Sequence, residues 1–265
     1  MTIFTRDIET GLRSLQLGEA PVIVHASLKS FGNVNGSAAS VVDALLRVFS
    51  SVMVPAFTYK TMITPPVGPE DNGIVYGSKK DLNLMAEFFT PSMPVDRLIG
   101  IVPETLRQHP LAKRTDHPIQ SFAGIRAEPF LAAQTMHDPL APLHALAMSG
   151  GWVLLLGVNH TVNTSIHYAE KMAGRKTFIR WALTPKGVVE CPAFPGCSAG
   201  FDAAAPALEN YTRRVRIGDT LIQAVSVRAV FNAVVPMFRR DPLALLCNDE
   251  SCERCGEIRK QVRKG

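Results

Sequence analysis

Apolar positions alternate between two periods along most of this chain. Ile8, Leu12 and Leu15, spaced by four and three after an N-cap at Thr5, predict an amphipathic helix over 5–17. The short apolar run 21–25 predicts a buried strand, and it ends in a loop of small and hydroxyl residues, 26–32. Val41, Val42, Leu45 and Leu46 predict a helix over 38–48, and residues 51–57 a second strand. Strand, helix and strand at that spacing form a βαβ unit with a parallel strand pair. From 61 to 80, Pro65, Pro66, Gly68, Pro69, Gly73 and Gly77 break any regular period. A long surface loop is expected there, of the kind that often carries function. Helices are predicted at 81–89, 99–108 and 142–149, with a loop bearing proline and histidine at 109–120. The most continuous apolar run, 152–158, predicts a buried strand that leads into a helix starting near Asn163 or Thr164. Residues 178–190 alternate as a hairpin turning at Pro185, Lys186 and Gly187. The tail is predicted helical at 219–235 and 240–247, ahead of Cys252 and Cys255.

Composition narrows the class of protein. At 265 residues, 46% hydrophobic and with net charge +5, the chain is long and apolar enough to bury a large core and too weakly charged for disorder. No internal repeat, linker or composition break divides it, so residues 1–265 are expected to form one domain with a Cys-bearing tail from about 240. No apolar run approaches the roughly 18–20 residues of a membrane span, and no leader pattern opens the chain. A cytoplasmic protein with no membrane partner is expected. The basic excess is spread along the chain apart from the tail, and only 7% of residues are aromatic, so nucleic-acid binding is not indicated.

Four groups of residues could carry chemistry. His167 and Glu170 are three apart on the helix that follows the 152–158 strand, so they share a face at a strand's C-terminal end, where α/β sheets bind ligands. An imidazole oriented by a carboxylate has the ingredients of a general base, although surface His/Glu pairs of this spacing are common. In the loop 26–32, Ser27, Lys29 and Ser30 ahead of a helix could cradle phosphate oxygens, yet the loop matches neither a Walker A nor a Gly-x-Gly-x-x-Gly pattern. Arg114, His117 and Ser121 lie together in a third segment able to meet an anion. Finally, Cys247, Cys252 and Cys255 form Cys-x4-Cys-x2-Cys, with Cys197, Cys191 or a histidine open as a fourth ligand. With that ligand undetermined, zinc is not favoured and reduced, buried thiols are expected.

Taken in order, several stretches resemble the aminoglycoside 3-N-acetyltransferase family, antibiotic acetyltransferases unrelated to the GNAT fold. They are residues 24–32, 54–59 and 100–107, then 114–118 with 121–123, then 154–158 and 163–170. The GNAT pyrophosphate signature is absent. The resemblance implies a layered α/β/α sandwich with a central mixed, partly parallel sheet. It implies acetyl-coenzyme A as co-substrate and an amine acceptor, the 3-amino group of an aminoglycoside, acetylated directly in a ternary complex by a monomer or homodimer. His167 would be the base and Glu170 its orienting partner. Coenzyme A would be held by His25, Ala26, Ser27, Leu28, Lys29, Ser30, Thr58, Arg114, Ser121 and Phe122. Tyr59, Glu70, Asp71 and Glu104 would meet the amine. No metal belongs to this site, and the oxyanion donors are sought near residues 163–165. One departure stands out: relatives with strong aminoglycoside activity carry an acidic insert after the second strand, whereas 61–76 here offers only Glu70 and Asp71. A less cationic amine is therefore the alternative acceptor. A zinc-bearing scaffold without catalysis is the alternative from another class.

Overall fold

A strand whose successive residues are all apolar has to be covered on both faces. The computed structural model, which describes residues 2–77 and 83–264, shows this for the strands at its centre. Among the described residues the strands are β1 (Thr2–Ile3), β2 (Val22–Ala26), β3 (Asn33–Val34), β4 (Val52–Pro55), β5 (Met62–Ile63), β6 (Lys113–Arg114), β7 (Phe122–Ile125), β8 (Trp152–Leu156), β9 (Phe178–Thr184), β10 (Gly187–Phe194), β11 (Thr212–Ile217) and β12 (Thr220–Ser226). The helices of eight or more residues are α1 (Thr5–Ser14), α2 (Ser37–Val48), α3 (Ile101–Gln108), α4 (Ala141–Met148), α5 (Thr164–Met172), α6 (Val227–Arg240) and α7 (Glu253–Lys264).

Seven strands form the main sheet in the order β11-β12-β8-β2-β4-β7-β6. Its centre, β8-β2-β4, is parallel, and the strands outside it pair antiparallel. The two faces take alternate residues. Val22, Val24, Val52, Val54, Leu154 and Leu156 pack with α1, α2 and α3 on one side. Ile23, Met53, Val153 and Leu155 pack with α4, α5 and α6 on the other. The expected α/β/α sandwich with a mixed central sheet is the observed architecture. A second, three-stranded sheet, β10-β9-β5, stands beside it on its own small core, which includes Phe178, Phe194 and Ile258.

Several elements differ from the sequence expectation. Helix α1 ends at Ser14, and its N-cap is Phe4, whose amide donates to the Asp7 carboxylate at 2.9 Å. Residues 86–90 are irregular, and part of the helix expected at 81–89 lies outside the described residues. The helix expected over 219–235 is a strand to Ser226 and a helix only from Val227. Its strand closes the β11–β12 hairpin, where Gly218 and Asp219 make a two-residue turn and Gly218 takes φ 59°. Residues 241–247 form turns rather than a helix, because Pro242 follows the end of α6, and the tail becomes helical only in α7.

Candidate active site

Parallel neighbours β2 and β8 end side by side at Ala26 and Leu156, which brings the loops after them together above the sheet. The contact is close. Gly157 has φ 66°, and a Cβ placed there would lie 1.8 Å from Ser30 Oγ, so only glycine fits. Between these loops, residues 97–101 and the start of α5 lies a groove of ≈530 Å³, bordered by His25, Lys29, Tyr59, Thr164, His167 and Ser198 among others.

Helix α5 opens with Asn163 as its cap: Asn163 Oδ1 accepts from the Ser165 amide at 3.1 Å and from Ser165 Oγ at 2.5 Å. The Asn163 amide group meets His160 Nδ1 at 3.1 Å. One turn on, His167 Nδ1 is 2.6 Å from Glu170 Oε2. A carboxylate only accepts, so Nδ1 is the donor in this hydrogen bond. The carboxylate is itself fixed, because Arg175 Nη1 donates to Glu170 Oε1 at 2.8 Å. Arg175 Nη2 donates to the Pro242 and Ala244 carbonyls, both at 2.6 Å, and the guanidinium lies 4.4 Å from the Phe238 ring centre. Phe201 presses edge-on to the imidazole at 4.6 Å. His167 also borders a recess of only ≈10 Å³, so the groove is the roomier of the two spaces it lines.

The residues expected around this site divide into two sets. His25, Ala26, Ser27, Leu28 and Lys29 border the groove together with His167. His25 is 6% exposed, and its Nε2 has no protein partner. Burial, with a smaller contribution from His160, holds its pKa down at about 3, so it is neutral. Tyr59 stands where the groove meets a second cleft, and burial raises its phenol to about 12. Ser30 turns away: its hydroxyl donates to the Ser27 carbonyl at 2.7 Å, and it borders a separate surface depression with Gly157.

The other set makes its hydrogen bonds and contacts with protein. Arg114 donates to Ser121 Oγ at 3.1 Å, to the Pro91 and Ala56 carbonyls at 3.1 and 2.7 Å, and to Met93 O. Four of its five N–H donors are engaged by protein. Ser121 donates to Ala56 O and Thr58 to Pro118 O, each at 2.7 Å, and Phe122 is enclosed in the core with its ring edge on Phe57. Glu104 is likewise engaged: it accepts from Arg107 at 2.9 and 2.6 Å, from the Val95 amide at 2.9 Å and from Gln108 at 2.7 Å. No acceptor site remains on it for a cationic substrate. Glu70 and Asp71 are exposed and border neither cavity. Their loop folds back onto β9, where Asn72 brackets Ile179 through hydrogen bonds of 2.7 and 3.0 Å. Ser165, near the expected oxyanion donors, has both its amide and hydroxyl committed to Asn163, which leaves Thr164 as the groove-lining residue of that turn.

Sequence reasoning missed Arg175, which anchors the pair from beyond the end of α5, and residues 97–101 as a groove wall. Only tertiary contact links them to the site. The second cleft, ≈980 Å³, has a mixed charged lining of Lys60, Glu87, Arg180, Glu253 and Arg254. Lys60 and Glu87 pair at 3.0 Å, and Arg180 donates to the Asn72, Gly73 and Ile179 carbonyls. On the cleft's margin Cys252 joins Cys197, Cys247 and Cys255, while Cys191 is buried elsewhere in β10. Among the described residues, no helix is long and apolar enough to cross a membrane.

Residues 23–239 match the family model described as aminoglycoside 3-N-acetyltransferase. Among curated proteins, the chain is 31% identical over 179 residues to the SPbeta prophage-derived aminoglycoside N(3')-acetyltransferase-like protein YokD of Bacillus subtilis (strain 168). That match spans 62% of this chain and 64% of the relative. The fold is shared with the crystal structure of the aminoglycoside acetyltransferase AAC(3)-IVa apoenzyme, at TM-score 0.79 and 23% identity over 98% of both chains. It is also shared with the structure described as AAC-IIIb binary with CoASH, at TM-score 0.72 and 21% identity over 91% of this chain and 97% of that one.

Proposed function

This chain belongs to the aminoglycoside 3-N-acetyltransferase family, and from that premise we propose that it transfers an acetyl group from acetyl-coenzyme A to an amine, with His167 as the general base. The observation that carries the reading is the chain Arg175–Glu170–His167, which holds Nδ1 against Glu170 on a residue that borders the groove, so that in this reading Nε2 is the basic nitrogen. An amine is largely protonated near neutral pH and attacks a thioester only as the free base. The ammonium group first releases one proton to solvent, and the Nε2 lone pair takes a second from the attacking nitrogen as the N–C bond forms. Collapse of the tetrahedral intermediate expels the coenzyme A thiolate and leaves the amide. The imidazolium then returns its proton to the thiolate or to solvent. Glu170 accepts the Nδ1 hydrogen bond throughout, and Arg175 keeps that carboxylate aimed.

The coenzyme lies along residues 25–29 in this reading, with Lys29 and Arg97 as the cations on the groove. Neutral His25, with an unpartnered Nε2, supplies a polar contact to the pantetheine arm or the thioester oxygen. The tetrahedral oxyanion forms near the first turn of α5, where the Thr164 amide has no intrahelical acceptor. The amine enters past Tyr59 from the second cleft.

An aminoglycoside is the acceptor the family assignment favours. A less cationic amine is a second reading with an observation of its own. The carboxylates of the second cleft, Glu87 and Glu253, are outnumbered by Lys60, Arg180 and Arg254, which is a poor field for a polycation. A scaffold without catalysis fits less well, since it gives no reason for an oriented imidazole on an open groove. The test is thiol release from acetyl-coenzyme A by purified protein, with aminoglycosides bearing a free 3-amino group and simple mono- and diamines. Amine-dependent release is expected, and release with no amine of either class would overturn the assignment.

A further inference from the structure

Four thiols that belong to no disulfide converge where the chain's tail returns to the body of the fold. Cys197 comes from the loop after β10, Cys247 from the turn region after α6, and Cys252 and Cys255 from the start of α7. Their sulfurs all lie within 4.8 Å of one another, and Cys247 and Cys255 are 3.4 Å apart. A tetrahedral ion with metal–sulfur bonds of ~2.3 Å sets its sulfurs about 3.8 Å apart, so the four already stand near the corners such an ion needs. Four neutral thiols gain little from this arrangement, because S–H is a weak donor and sulfur a weak acceptor. We propose that Cys197, Cys247, Cys252 and Cys255 bind one structural zinc ion.

The surroundings suit a tetrathiolate, which around zinc keeps two net negative charges. The Ala199 amide donates to Cys197 Sγ at 3.5 Å. Arg254 donates to the Gly196 carbonyl at 2.8 Å, and Arg259 donates to the Cys247 carbonyl, so two cations border the cluster. All four positions of the metal are filled by protein, which leaves none for water or substrate and makes the role structural. The space holds a single ion. An iron–sulfur cluster would need its thiolates spread around a core of several atoms. The tail also needs the staple: of the hydrophobic side chains of α7, only Ile258 is buried, alongside Cys255. One buried isoleucine is too little to hold a twelve-residue polar helix against its own entropy.

The metal would do more than fasten a tail. The loop it grips carries Gly196, where an added Cβ would lie 3.6 Å from the Glu170 carboxylate, and runs on to Phe201 against the His167 ring. Cys252 lies on the wall of the second cleft. One ion therefore joins the backing of the His167–Glu170 pair to the far wall of the cleft.

The test is metal analysis of the full chain purified under reducing conditions, with apo protein reloaded with Zn(II) in parallel. About one zinc per chain is expected, and Co(II) in its place should give the thiolate charge-transfer and visible bands of a tetrahedral sulfur site. Cys252→Ser should lower zinc occupancy and expose the tail to limited proteolysis, whereas Cys191→Ser should keep its zinc. Less than about a tenth of an equivalent in wild-type protein, even after reloading, would overturn the proposal. So would iron in the purified protein with no exchange for zinc, or full zinc retention in a Cys252→Ser, Cys255→Ser double variant. None of these readouts depends on acetyl transfer, so loss of the functional reading would leave the metal site standing.

Discussion

Glu170→Gln keeps the size of the side chain and removes its charge, and the two bonds the carboxylate makes decide what happens next. Its Oε2 accepts from His167 at 2.6 Å and its Oε1 from Arg175 at 2.8 Å. An amide offers one oxygen and one NH2 in place of two oxygens. If the oxygen turns to Arg175, the NH2 faces His167 Nδ1, which then accepts. The imidazole proton moves to Nε2, the nitrogen on the groove, and the base is lost. If the oxygen turns to His167, the NH2 opposes the guanidinium of Arg175, whose side chain is only 5% exposed. A hydrogen bond to a charged group contributes about 1.5–3 kcal/mol, so kcat should fall roughly 10- to 100-fold with KM for acetyl-coenzyme A little changed. The variant should also lose stability, by up to about 3–5 kcal/mol for a broken buried pair, so rates are read below its unfolding midpoint. The assay is thiol release at saturating amine, with acetyl-coenzyme A binding measured separately. A folded Glu170→Gln protein with kcat within about twofold of wild type would refute the assignment of tautomer and role.

Other perturbations test the remaining parts of the site. Arg114→Ala should destabilise the fold by roughly 2–4 kcal/mol, because it strands the carbonyls that Arg114 now serves. In denaturant titration it should show that loss while KM for acetyl-coenzyme A stays put; a large rise in KM without loss of stability would return Arg114 to the cofactor. Gly157→Ala puts an alanine at φ 66° and a Cβ onto Ser30 Oγ. The strain alone costs roughly 1–2 kcal/mol, and the displaced 27–30 loop should raise KM for acetyl-coenzyme A, so an unchanged KM would argue against that loop as a coenzyme site. Acid should weaken the fold early. His25 and His117 are held neutral by burial, with pKa values lowered from 6.5 to about 3 and about 4. The unfolded chain therefore binds protons below pH 6.5 that the folded chain refuses, so stability is whole above 6.5 and falls as pH drops towards the folded values. Each histidine costs about 1.4 kcal/mol per pH unit in that window. His117→Asn, which keeps an acceptor for the Ile119 and Gln120 amides, should flatten the slope between about pH 6.5 and about pH 5; an equal slope in the variant would contradict the linkage.

The parts legible in the sequence were those set by local period and by the family's ordered stretches. The 152–158 run gave β8, the βαβ spacing gave the parallel pair β2–β4, and the i, i+3 spacing put His167 and Glu170 on one face of α5. The β11–β12 hairpin was hidden because residues 219–226 share their apolar content with the helix that follows, although the Gly218-Asp219 turn after alternating Arg214, Val215, Arg216 and Ile217 was the available signal. The protein partners of Arg114 and Ser121, expected at the coenzyme, and of Glu104, expected at the amine, were hidden for a different reason. Charge and hydroxyl say that a side chain needs partners, and only the fold says that those partners are backbone carbonyls and Arg107. The same limit hid Arg175, and it left Cys197 as one of several choices for the fourth thiol until the loop after β10 was placed beside the tail.

The most direct measurement compares wild-type protein with His167→Ala in amine-dependent thiol release from acetyl-coenzyme A, with acetyl-coenzyme A binding measured on both. Removal of a general base should cut turnover about 10²- to 10⁴-fold while binding is retained, since the proposed coenzyme contacts lie along residues 25–29. A His167→Ala protein that binds the coenzyme and turns over at the wild-type rate would contradict the account at its centre.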